Sequence, residues 1–85
     1  MPQELHPTMR CIIANIKSIR NQKAYSQDYL AAKLHITQNA YSKLELGKTQ
    51  LSIPALYQIA GILEVDVRQL LDISDCNKKL VILRD

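Results

Sequence analysis

At 85 residues the chain is shorter than the roughly 100–150 of a typical domain, so it can hold one domain with a short appendage. With 47% hydrophobic and 22% charged residues it reads as globular, and with four Tyr but no Trp or Phe its core must be aliphatic. The net charge of +3 is uneven: Arg10 to Gln50 holds seven bases against two acids, the remainder four against six, which turns one half toward a polyanion.

Residues 1–8 contain Pro2 and Pro7 among polar neighbours and read as a flexible leader. From Met9, the spacing of Ile12, Ile13, Ile16 and Ile19 predicts an amphipathic helix ending near Lys23. Ser26 is an N-cap for a second helix over 27–34, with Leu30, Ala31 and Leu34 as its buried stripe. Thr37 caps a third over 38–46, with Tyr41 and Leu44 inward and Gly47 suited to the position just past its end. Ser52 caps a fourth, with Pro54 in its first turn and Leu56, Ile59, Ala60 and Leu63 as its apolar face. Asp66 caps a short fifth over 67–71. No alternating stretch precedes residue 78, so the expected fold is a compact all-α domain of five helices over 9–71.

The tail, 72–85, is charge-balanced and ends in Leu80, Val81, Ile82 and Leu83. Four branched aliphatics are not left in water, and a chain this short gains from a partner, so these residues are read as a dimerisation element, a strand in preference to a helix. The run is far below the roughly 20 residues that span a bilayer, and Met-Pro-Gln-Glu offers no signal-peptide pattern. The expectation is a cytoplasmic protein with no membrane partner.

Cys11 and Cys76 belong to no paired spacing, nor do His6 and His35, so no metal, no cofactor and free thiols are expected. There is no Gly-rich phosphate loop, nucleophile elbow or catalytic carboxylate pair, so no enzyme is expected.

The functional signal lies in residues 27–46. Two short helices joined by a three-residue turn pack steeply, which requires a small fifth residue, Ala31, and apolar residues at the fourth, eighth, tenth, fifteenth and eighteenth places. Leu30, Leu34, Ile36, Tyr41 and Leu44 fill them, which is the helix-turn-helix pattern. The second helix of such a pair enters the major groove of DNA, where its outward residues Gln38, Asn39, Ser42 and Lys43 are the candidates to read bases. Gln27 at the N-terminus of the first, Thr37 at the turn, and Lys48, Thr49 and Gln50 beyond Gly47 are the candidates for phosphate.

The segments Ile16-Lys17-Ser18-Ile19-Arg20, Ser26-Gln27-Asp28-Tyr29-Leu30-Ala31, Tyr41-Ser42-Lys43-Leu44-Glu45-Leu46-Gly47-Lys48 and Ile59-Ala60-Gly61-Ile62-Leu63-Glu64-Val65 carry a further signal. Together they resemble the phage-repressor/Cro family of DNA-binding domains, also called the XRE family, over roughly residues 10–71. The resemblance implies a lambda-repressor-like fold, binding to double-stranded DNA, and a homodimer on a palindromic operator that regulates transcription as a repressor or activator. It also implies that Gln27 touches the DNA backbone and braces the recognition helix, and that Arg20 and Glu45 form an ion pair. The chain departs from the family where His35 and Glu64 replace turn glycines, Tyr41 replaces Ile or Val, and Leu51 replaces a frequent Pro. These departures leave room for the same fold serving as a protein-interaction module, such as an antitoxin or anti-repressor with a partner protein.

Overall fold

The computed structural model describes residues 6–74, which form five helices: α1 (Pro7–Gln22), α2 (Gln27–Leu34), α3 (Gln38–Glu45), α4 (Ile53–Leu63) and α5 (Val67–Leu71). No strand occurs among the described residues. The expected dimerisation residues Leu80, Val81, Ile82 and Leu83, and Cys76, lie outside them.

Each start follows from a side chain that accepts one of the backbone N–H groups a helix leaves over. The oxygens of Ser26, Thr37 and Ser52 accept the N–H of Tyr29, Ala40 and Ala55 at 3.0, 3.0 and 3.1 Å. At α5 the cap is reciprocal: Asp66 accepts from Arg68 N–H at 2.9 Å, and the Gln69 side chain accepts from Asp66 N–H at 3.2 Å. α1 starts two residues before the expected Met9. His6 Nδ1 accepts Thr8 N–H at 3.1 Å, and Pro7, which has no N–H to satisfy, is well suited to the first helical position.

The first four helices end in one motif. One residue past α2 and α4, and two past α1 and α3, the chain turns left-handed, and the N–H of that residue and of the next bond back to carbonyls of the last turn. In α2 these bonds run from His35 to Ala32 and from Ile36 to Ala31, at 3.1 and 3.0 Å. The left-handed residues are Ala24 (φ 61°), His35 (φ 61°), Gly47 (φ 74°) and Glu64 (φ 60°). Only Gly47 adopts that conformation without a Cβ penalty. Ala24→Gly and His35→Gly should therefore each raise stability by about 0.5–1 kcal/mol once the added freedom of the unfolded chain is deducted. Urea midpoints check this; a lower midpoint for both would contradict it.

α1 is central: it packs on α3, α4 and α5, while α2 packs on α3 and α4. The core is built from Ile12 and Ile16 of α1, Leu30 and Ala31 of α2, Tyr41 of α3, Leu56, Ile59 and Leu63 of α4, and Leu70 of α5. Ala31, 2% exposed, supplies the small contact that lets α3 approach α2. Ile36, expected among the apolar positions of the pair, remains 38% exposed. Asn15 locks the far end, its amide donating to the carbonyls of Leu70 and Asp72 at 2.9 and 2.8 Å and so satisfying carbonyls that α5 leaves open. Cys11 is fully buried, as a small core residue should be, but it is disulfide-bonded, in contrast to the free thiol expected.

Candidate nucleic-acid interface

α2 and α3 are separated by His35, Ile36 and Thr37. The left-handed His35 reverses the chain after α2, and the extended Thr37 (ψ 157°) launches α3 in a new direction. α3 divides cleanly by its 3.6-residue period. Tyr41 faces inward, fully buried, with Leu44 and Glu45 beside it, while Gln38, Asn39 and Lys43 are exposed and Ser42 is half-buried on the outer side. Thr37, Lys48, Thr49 and Gln50 are exposed as well, the last three immediately after Gly47. Thr37 also holds the cap of α3.

The inner side of α3 is fixed by a polar cluster centred on Glu45. Arg20 approaches it with two parallel bonds, Nε to Oε2 at 2.7 Å and Nη2 to Oε1 at 3.1 Å, a bidentate ion pair whose side chains are 9% and 4% exposed. Arg20 Nη1 also donates to the Tyr25 carbonyl at 2.8 Å, tying in the turn between α1 and α2. The Tyr41 hydroxyl donates to Glu45 Oε2 at 2.7 Å, and Gln27 Nε2 donates to Oε1 at 3.0 Å. Each carboxylate oxygen thus accepts two bonds, and no buried side-chain polar atom lacks a partner among the described residues. Tyr41, whose hydroxyl needed either the surface or a partner, has Glu45 as that partner.

Burial alone would push the Glu45 carboxyl up, but the bonds from Arg20, Tyr41 and Gln27 outweigh it and hold the group below its ordinary value. The bond to Glu45 raises Arg20 further. Burial, reinforced by the bond to Glu45, pushes the Tyr41 phenol well above its usual range. At neutral pH the cluster is therefore carboxylate, guanidinium and neutral phenol.

The chain extends outward through Gln27, whose Oε1 lies 3.5 Å from Gln38 Nε2, at the long limit of a hydrogen bond. Gln38 on the exposed face is linked through Gln27 to the buried ion pair. Gln27 thus turns its amide toward Glu45 and Gln38, a bracing arrangement that periodicity could not reveal because the partners are eighteen and eleven residues away.

A helix-turn-helix family model matches residues 16–70, more than half of the chain. The chain belongs to the phage-repressor and Cro-type (XRE) family of helix-turn-helix regulators. It is 38% identical over 66 residues to an uncharacterised HTH-type transcriptional regulator, YqaE, of Bacillus subtilis, covering 78% of this chain and 56% of that protein. It is also 38% identical over 56 residues to the SPbeta prophage-derived uncharacterised HTH-type transcriptional regulator YonR of the same organism, covering 66% of this chain and 52% of that protein. The chain thus spans about half the length of the curated relatives it matches. Among solved structures, the hypothetical transcription factor NHTF from Neisseria superposes with a TM-score of 0.71 at 26% identity, over 94% of this chain and 95% of that one. Within this helix-turn-helix frame, α2 and α3 are the two helices of the pair. No helix among the described residues is long and apolar enough to cross a membrane.

Proposed function

We propose that the chain is a sequence-specific transcriptional regulator that binds duplex DNA as a homodimer on a palindromic operator, with α3 in the major groove. The observation that carries this reading is the division of α3: an inner side clamped by the Glu45 cluster and an outer side presenting Gln38, Asn39, Ser42 and Lys43. A groove about 12 Å wide admits one helix, and the amide side chains of Gln38 and Asn39 suit paired bonds to adenine. Lys43 reaches guanine acceptors, and Ser42 suits several base edges.

Gln27 and Thr37 at the two helix starts, with Lys48, Thr49 and Gln50 past α3, meet phosphates and set the register. The ion pair of Arg20 with Glu45 holds α3 at one angle to α1. The folded unit of α1 to α5 works where duplex DNA is found, in the cytoplasm of a bacterium or of a cell carrying a phage.

In vitro selection from random duplexes tests this directly. The expected product is a pair of inverted half-sites whose centres lie about 34 Å apart, one helical turn. Failure to enrich any sequence would contradict the reading. Binding to the selected site should also weaken steeply as salt rises, because each phosphate neutralised releases condensed counterions. A flat dependence in a salt titration would remove the phosphate contacts from the account.

A further inference from the structure

α4 contains no charged residue over its eleven positions, yet only part of it is covered. Leu56, Ile59, Ala60 and Leu63 are buried, whereas Ile53 and Tyr57 are 66% and 59% exposed, among the most exposed large apolar side chains described. Ile53, Tyr57 and Gly61 are spaced at i, i+4 and i+8 and so form one outward stripe. Apart from Gln58, α4 is apolar beyond its buried face, and an apolar face expects cover.

Two features along this stripe suit a second copy. Gly61 lies inside the helix, where glycine is a poor helix former, yet a Cβ there would meet nothing within 4 Å. Beside it is an open depression of about 500 Å³, bordered by Tyr29, Lys33 and His35 on the α2 side. Glu64, at the C-terminal end of α4, places a carboxylate at the negative end of the helix dipole and adopts a left-handed conformation that glycine would adopt freely.

We infer that this stripe is the self-association face, through which two copies pack their α4 helices antiparallel about a two-fold axis at Tyr57. This rests on the homodimer reading and gives it a location. Antiparallel pairing sets Ile53 of each copy against the partner's Gly61, seating at the edge of the depression the side chain that each copy leaves exposed. It also carries Glu64 to the positive N-terminal end of the partner's α4. The stripe is thus complementary to itself in shape and charge, as an isologous interface requires. α4 packs on α1, α2 and α5, so this pairing leaves the outer side of α3 free for DNA. An eleven-residue helix is about 16 Å long and covers less than the roughly 800 Å² per partner of a stable complex. The dimer is therefore concentration-dependent, and the operator completes it.

Sedimentation equilibrium of the full chain, alone and on its selected operator, tests the inference with Tyr57→Lys, Gly61→Leu and Glu64→Gly. Gly61→Leu and Glu64→Gly should raise the melting temperature of the monomer, by helix propensity and by release of backbone strain, while weakening the dimer at least tenfold and several-fold respectively. Tyr57→Lys should give monomers at all accessible concentrations. If the wild type dimerises and all three variants do so within twofold of it, another face carries the dimer and the inference fails while the homodimer reading stands. If the wild type is monomeric both in solution and on the operator, both fail.

Discussion

Replacing Glu45 with alanine should lower the unfolding free energy by about 3–5 kcal/mol, the largest loss expected of any single polar substitution here. The carboxylate accepts four bonds, from Arg20 twice and from Tyr41 and Gln27, and its removal strands a guanidinium and a phenol that are both buried. The loss measures the uncompensated groups, so it should exceed the net worth of the intact cluster. Replacing both members of the pair with apolar residues, Arg20→Met with Glu45→Leu, should recover much of it. Urea titrations of Arg20→Met, Glu45→Leu and the double variant form the test. Additive losses would show that the pair is not coupled.

The same carboxylate sets the acid limb of stability. Its folded value lies below the ordinary 4.5, so below that pH the unfolded chain takes up protons that the folded chain refuses. The stabilisation is complete above the ordinary value and is lost as pH falls through the lowered one. At the other extreme the raised Tyr41 phenol keeps its proton when folded, so stability falls as pH climbs past about 10. Glu45→Gln should flatten the acid limb in a series of urea midpoints; an unchanged limb would mean that other carboxylates set it.

Asn39→Ala should cost about 1–3 kcal/mol per half-site against the selected operator, and roughly twice that in a symmetric dimer, with little change on unrelated duplexes. Asn39 is exposed on α3 one residue from its start, where recognition helices enter most deeply, and no bond within the protein holds its side chain among those described. Lys48→Ala is the contrast: a uniform loss across sequences and a shallower salt slope. Gln38→Ala should combine lost base contact with lost bracing through Gln27. Equal losses for Asn39→Ala on operator and unrelated DNA would make Asn39 a backbone contact.

Local chemistry made most of the fold legible. Ser26, Thr37, Ser52 and Asp66 are short oxygen-bearing side chains just ahead of apolar stripes, and each caps the helix it announces. The outer and inner sides of α3 followed from its period for the same reason. What escaped reading depends on partners distant in the chain. Asn15 bonds to a carbonyl fifty-seven residues away, and Gln27 bonds to Glu45 across eighteen. Ala24 gave no sign of its left-handed conformation, since alanine ordinarily extends a helix. The start at Pro7 carries no strong signal because a histidine is an uncommon cap.

The most direct test is an NMR titration of the isotope-labelled chain with its selected duplex. Intermolecular contacts to base protons of the major groove should arise from Gln38, Asn39, Ser42 and Lys43, with Lys48 to Gln50 following the backbone. If those residues kept their free-state signals while the duplex bound elsewhere on the surface, α3 would not be the reading helix.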